Sequence, residues 1–177
     1  RSRGLGDVYK RQILSFFVAG MAAGTLIVGP LSDSFGRKPI IHYGASLYIF
    51  TSAVCVLSPS LEVILISRFL QGVGASAPRV VAQALVRDFY KGREMARISS
   101  FIMIIFALVP AIAPLLGSFV MLAFNWRFIF LMFIAFVAVS TMWMTFRIDE
   151  SVTKEKRIEF NLKPVSYTHL TLPTIAK

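Results

Sequence analysis

Acidic side chains are few in this 177-residue chain, and their placement says more than their number. There are nine, against 19 lysines and arginines. Asp7, Asp33, Glu62, Asp88, Glu94, Asp149, Glu150, Glu155 and Glu159 all fall outside the middle of the long apolar runs. Those runs therefore hold no carboxylate pair for acid–base catalysis, and no mid-span acid that could titrate in a membrane. Histidine is scarcer still, and His42 and His169 lie too far apart to make a metal site of their own. The single cysteine, Cys55, excludes an internal disulfide framework and a cysteine-based metal site. It lies in an apolar run, where a small packing residue suffices. Neither H-E-x-x-H nor G-x-S-x-G occurs, so the signatures of two large hydrolase classes are missing. Charge of either sign is low, at 16% of residues, where a soluble domain carries roughly a quarter.

What is present is hydrocarbon. Hydrophobic residues make up 56% of the chain, and the mean hydropathy is +0.69. A water-soluble globule of this size could not hide that much apolar surface, so the solvent is a lipid bilayer. The net charge of +10 would suggest nucleic acid in a soluble protein. Here the basic residues cluster between apolar runs, as orientation in a membrane requires, and no nucleic-acid partner is expected. The pattern predicts an all-α membrane protein with five transmembrane helices, at about 13–31, 39–57, 62–86, 98–124 and 128–146. A charged loop begins at 147–164. Residues 1–12 are polar and abut an apolar run abruptly, and residues 165–177 form a Thr-rich tail unlike what precedes it. Both read as added, assembly-derived sequence and are set aside from fold reasoning.

The distribution of basic residues orients these spans. With the Gly29–Pro39 stretch inside, the inner segments carry Arg37, Lys38, Arg87, Lys91, Arg93, Arg97, Arg147, Lys154, Lys156, Arg157 and Lys163. The outer turns carry Arg127 alone. The positive-inside rule is obeyed, and residues 1–12 would break it with Arg1, Arg3, Lys10 and Arg11.

Several stretches carry more than hydrophobicity. Gly29-Pro30-Leu31-Ser32-Asp33-Ser34-Phe35-Gly36-Arg37-Lys38-Pro39 is a charged, Gly- and Pro-punctuated hinge between two apolar runs. Gly20 and Gly24 form a G-x-x-x-G pair, a stripe along which two helices can pack closely in lipid. Arg68 lies about six residues into the third span, ~9 Å from the helix start, where a guanidinium is costly and marks function by default. It opens the run Arg68-Phe69-Leu70-Gln71-Gly72-Val73-Gly74-Ala75. Asp88…Gly92-Arg93 faintly echoes Asp33…Gly36-Arg37. Pro110, Pro114 and Gly117 interrupt the fourth span, where proline removes backbone hydrogen bonds and kinks a helix.

G-x-L-x-D-x-x-G-R-K, as written by Gly29, Leu31, Asp33, Gly36, Arg37 and Lys38, resembles the signature loop between the second and third helices of major facilitator superfamily transporters. R-x-x-Q-G-x-G, from Arg68 through Gln71, Gly72 and Gly74, resembles the fourth-helix motif of that family's drug–proton antiporters. Ala113-Pro114-Leu115-Leu116-Gly117-Ser118 is similar to their fifth-helix motif, with Ala113 and Ser118 in place of glycines. Together these resemble the bicyclomycin-resistance (Bcr/CflA) type of multidrug exporter. The resemblance implies a partial N-terminal half of a twelve-helix major facilitator fold, helices two to six, with the first helix and the C-terminal half lying elsewhere in the parent chain. It implies a multi-pass protein of the bacterial cytoplasmic membrane that exports small amphipathic drug-like substrates by alternating access. No cofactor or metal is called for, because the proton gradient supplies the energy. It further implies a conformational latch of Gly29, Asp33, Gly36, Arg37, Lys38 and Asp88, with Arg68 in proton coupling. Two alternatives stay open: a sugar or metabolite symporter of the same superfamily, and a non-transporting membrane scaffold. A scaffold would need neither Arg68 in a span nor a proline-broken helix.

Overall fold

A computed structural model describes residues 2–58 and 60–147, without the side chains of residues 2–10. Pro59, the charged segment after Arg147 and the tail from residue 165 lie outside the described residues. Five helices follow one another: α1 (Ser2–Phe35), α2 (Arg37–Leu57), α3 (Leu61–Phe89), α4 (Gly92–Ala123) and α5 (Trp126–Arg147).

The helices are longer and the turns tighter than composition suggested. Helix α1 runs on to Phe35, and Gly36 alone separates it from α2, so the expected hinge is helical on both sides of one residue. Gly36 has φ 102° and ψ 159°, a region that side chains with a Cβ scarcely enter. Gly92, at φ 57°, opens α4 after a turn of two residues, Tyr90 and Lys91. Gly36 and Gly92 are the two described residues with positive φ, so the Asp…Gly-Arg echo marks the two tight turns at this end of the bundle. Pro39 sits in the first turn of α2, where its missing N–H is no loss. At the opposite end Ser60 caps α3 by accepting from the Val63 N–H at 3.3 Å. Glu62 in the first turn of α3 and Arg87 in its last complement the helix dipole. Helix α1 begins at Ser2 and passes unbroken through the residues set aside above, and its apolar length runs from Arg11 to Phe35.

Four helices, α1, α2, α4 and α5, are long and apolar enough to cross a membrane. Helix α3 falls short of that hydropathy, although a fifth span was expected there. It carries Arg68, Gln71, Arg79, Gln83 and Arg87. The physical reason is its place in the bundle. Helix α3 packs along α1 on one side and α2 on another, so protein shields its polar groups instead of lipid. Its buried positions are mostly small or polar, including Ser67, Gln71, Gly72, Gly74, Ser76 and Ala77.

The G-x-x-x-G pair of α1 meets a partner there. A Cβ on Gly20 would strike the Phe69 carbonyl, and one on Gly24 would strike Ser76. From the other side, a Cβ on Gly72 would strike the Phe17 carbonyl, and one on Gly74 would lie 2.7 Å from the Gly44 carbonyl oxygen of α2. Backbones thus approach to contact, which is how helices associate where lipid tails remove any hydrophobic gain. A compact apolar cluster, Val28, Ile40, Ile41, Ala77 and Val81, fixes α1, α2 and α3 at the Gly36 end. Helix α5 packs on α2. Helix α4 has no buried residue, and its Phe101, Ile104, Phe119 and Leu122 are exposed.

Candidate functional site

One turn beyond that apolar cluster, three helix ends meet around Arg37. The first residue of α2 is basic and only 8% exposed. Its Nε–H donates to Asp88 Oδ2 of α3 at 3.2 Å. Its Nη1 donates to Ser32 Oγ at 2.6 Å and meets Asp33 Oδ1 at 2.7 Å, both on α1. Ser32 is fully buried and its hydroxyl donates a hydrogen bond to the Gly29 carbonyl at 2.9 Å. The two acids differ. Asp88 reaches Arg37 from α3 and is 30% exposed, while Asp33 reaches it from α1, four residues back in sequence, and is 44% exposed. Gly36 makes the arrangement possible by turning the chain so that Arg37 folds back onto α1. An adjoining cavity of about 350 Å³ is lined by Gly29, Ser32, Asp33, Arg37, Gln83 and Asp88, among others.

The expected latch residues are thus brought together, with two qualifications of place. Lys38 reaches toward α5, donating to the Thr145 carbonyl at 3.2 Å. His42, one turn on, lies 2.8 Å from Thr145 Oγ1, so this pair ties α2 to α5. Gly29 stands open, since an added Cβ would meet nothing described within 4 Å.

The second cluster lies toward the other end of α3. Arg68 Nη1 donates to Gln71 Oε1 at 3.0 Å. Gln71, fully buried, donates through Nε2 to Ser52 Oγ of α2 at 2.6 Å, and Ser52 donates to the Tyr48 carbonyl at 2.7 Å. The guanidinium carbon lies 4.7 Å from the centre of the Phe130 ring of α5, a cation–π contact. Arg68 Nε is buried with no hydrogen-bond partner among the described residues. A cavity of about 360 Å³ opens beside it, walled by Ile13, Ile64, Trp126, Ile129 and Phe130. Arg68 thus sits in a largely apolar setting with its Nε–H unpaired among the described residues.

Gln71 is thus the hydrogen-bond partner of Arg68, while Gly72 and Gly74 bring α3 against α1 and α2. Pro110, Pro114 and Gly117 lie on α4, away from both clusters. Helix α4 continues through both prolines, and a Cβ on Gly117 would meet nothing described within 4 Å. Sequence reasoning did not single out Ser32, Ser52, Thr145, Phe130 or Arg79. A serine or threonine in a span gives no signal until its partner helix is known. Arg79 did give one, because it stands in the same span as Arg68 and the same cost argument applies. Among the described residues no group of three metal-ligating side chains converges.

A sequence model described as the Major Facilitator Superfamily matches residues 5–174. The MFS-type transporter YdgK of Bacillus subtilis is 38% identical over 149 residues, covering 82% of this chain and 37% of the relative. The multidrug resistance protein MdtL of Escherichia coli O157:H7 is 42% identical over 116 residues, covering 66% of this chain and 30% of the relative. A bicyclomycin resistance protein homolog of Haemophilus influenzae is 34% identical over 169 residues, covering 94% of this chain and 42% of the relative. The chain thus spans well under half the length of these curated relatives.

Proposed function

The chain belongs to the Major Facilitator Superfamily, a family of multi-pass membrane transporters and not of enzymes, and from that premise we propose that its parent protein is a proton-coupled multidrug efflux antiporter. It is related to multidrug and bicyclomycin resistance proteins. On this reading it sits in the bacterial cytoplasmic membrane and exports small amphipathic drug-like molecules, its halves rocking between inward- and outward-open forms.

The observation that carries the proposal is the Arg37 cluster. Alternating access needs two arrangements within a few kcal/mol of each other. A buried guanidinium that clips the ends of α1, α2 and α3 is a contact that one of the two arrangements can make and the other release. Asp33, the more exposed acid, is left able to accept hydrogen bonds from a helix N-terminus in the other half, which that helix's dipole favours. The open side of Gly29 leaves room for the same crossing. Gly29, Asp33, Gly36, Arg37 and Asp88 then act as the latch that shuts the cytoplasmic side. Arg68, with Gln71 and Ser52 fixing its guanidinium, serves proton coupling by tuning a carboxylate carried on another segment of the parent protein.

The experiment is transport by the full-length protein in proteoliposomes with an imposed proton gradient. Gradient-dependent movement of amphipathic drugs, reduced by Asp33→Asn and by Arg68→Lys, is expected. Gradient-driven sugar uptake without drug movement would replace this reading with the symporter. Asp33→Asn leaving both transport and the inward/outward balance unchanged would end the latch.

A further inference from the structure

We propose that the face of α3 carrying Arg79, Gln83 and Arg87 is a binding site for a small amphipathic anion, a molecule with a carboxylate-type group on an aromatic body. These residues recur every fourth position on one side of the helix and span ~12 Å along its axis. With α4 they line a groove of about 380 Å³. The facing wall is apolar and polarisable, with Met95, Met103 and Phe106 among its residues. The lining holds two arginines and no acid.

Arg79 is the group that needs explaining. It lies ten residues, ~15 Å, from the last residue of α3. Neither of its contacts neutralises it: Met21 Sδ accepts from Nη1 at 3.7 Å, and the Phe106 ring centre lies 5.8 Å from its guanidinium carbon. Arg37, and not Arg79, is the cation in the ion pairs described with Asp33 and Asp88. A guanidinium at this depth in a span, beside a groove and without a carboxylate among the described residues, marks a substrate path. Its planar fork matches a carboxylate, Arg87 adds a second charge, Gln83 adds an amide, and Phe106 with the methionines takes the aromatic body. Gln83 and Arg87 also line the cavity beside Arg37 and Asp88, so an anion here lies next to the latch.

The inference deepens the transport reading by naming a substrate class, and its test separates the two. Equilibrium binding of 2-naphthoate and of its neutral counterpart 2-naphthamide is measured on the full-length transporter in phosphatidylcholine nanodiscs. The acid is expected to bind at least ~tenfold tighter, the factor one charge-assisted hydrogen bond carries. Arg79→Gln should abolish that preference without changing naphthamide binding, and Arg79→Lys should keep most of it. Arg87→Gln, which should halve the preference or more, serves if Arg79→Gln does not fold. Equal effects on both ligands, or none on either, would overturn the site. So would loss of naphthoate binding in phosphatidylglycerol nanodiscs, which would identify the occupant as a lipid headgroup. A charge preference without gradient-driven transport would uphold the site and sink the transport reading. Drug efflux indifferent to Arg79 and Arg87, with no acid preference, would do the reverse.

Discussion

Replacing Asp88 by asparagine tests the proposed latch at the Arg37–Asp88 ion pair, which joins α2 to α3. The side chain keeps its shape and an acceptor oxygen, so the change removes charge and little else. Arg37 Nε–H to Asp88 Oδ2 is 3.2 Å long, and the guanidinium is 8% exposed. A hydrogen bond to a charged group is worth about 1.5–3 kcal/mol. Asp88 is 30% exposed, which argues for the lower half of that range. About 2 kcal/mol corresponds to a ~30-fold change in an equilibrium. If the pair holds the end of α3 against α1 and α2 in the outward-open form only, Asp88→Asn should raise the inward/outward ratio ~30-fold. Distances between spin labels on the two halves of the full-length transporter, read by double electron–electron resonance, report that ratio directly. Arg37→Gln with Asp88→Asn completes a double-mutant cycle, and the coupling should recover most of the effect. A fall in thermal stability with the ratio moved less than threefold would refute the reasoning, because the pair would then staple one half in both states.

Gly36→Ala should cost about 1–3 kcal/mol, since φ 102° with ψ 159° is nearly closed to a Cβ, and the loss is read as a lower melting temperature of the purified transporter. Gly72→Ala should cost at least about 1–3 kcal/mol, because its Cβ meets the α1 backbone, whereas Gly117→Ala should be near neutral where the space is open. Equal effects at the two glycines would mean that the α1–α3 crossing is not the tight one. Gln71→Leu should lower drug efflux and shift its pH profile, because Arg68 loses the acceptor that fixes its guanidinium. An unchanged profile with lowered expression would make Gln71 a packing residue only.

The spans were legible because hydropathy needs no partner to be read: α2 and α5 begin and end within two residues of where the sequence placed them. The stretch from Gly29 to Pro39 was read as a loop, and it is helical on both sides of Gly36. Charged residues at helix ends look like loop residues in a sequence, while a positive φ at one glycine is enough to turn the chain. Ser32 and Ser52 were not legible, since a serine in a span reads as a small packing residue until a neighbouring helix brings Arg37 or Gln71 to it. The G-x-x-x-G stripe was legible as a contact surface, but only the fold supplies α3 as the surface it meets.

These readings share one cause, and it lies in α3. Hydropathy measures a helix against lipid, so it favours α4, which buries nothing, and passes over α3, which is packed along two neighbours. In water an amphipathic stripe announces the buried face of a helix. In lipid the outer face is apolar too, so the buried face shows itself by small residues and by polar groups that could not be left outside. Gly72, Gly74, Ser76 and Ala77 are the first kind, and Arg68, Gln71 and Asp88 are the second. Both kinds fall on the one helix that touches the Arg37 cluster, the Arg68 chain and the arginine groove. A polar residue in a span is thus evidence for a neighbour, and the span with the most of them is where the bundle is held together and where its chemistry can be done.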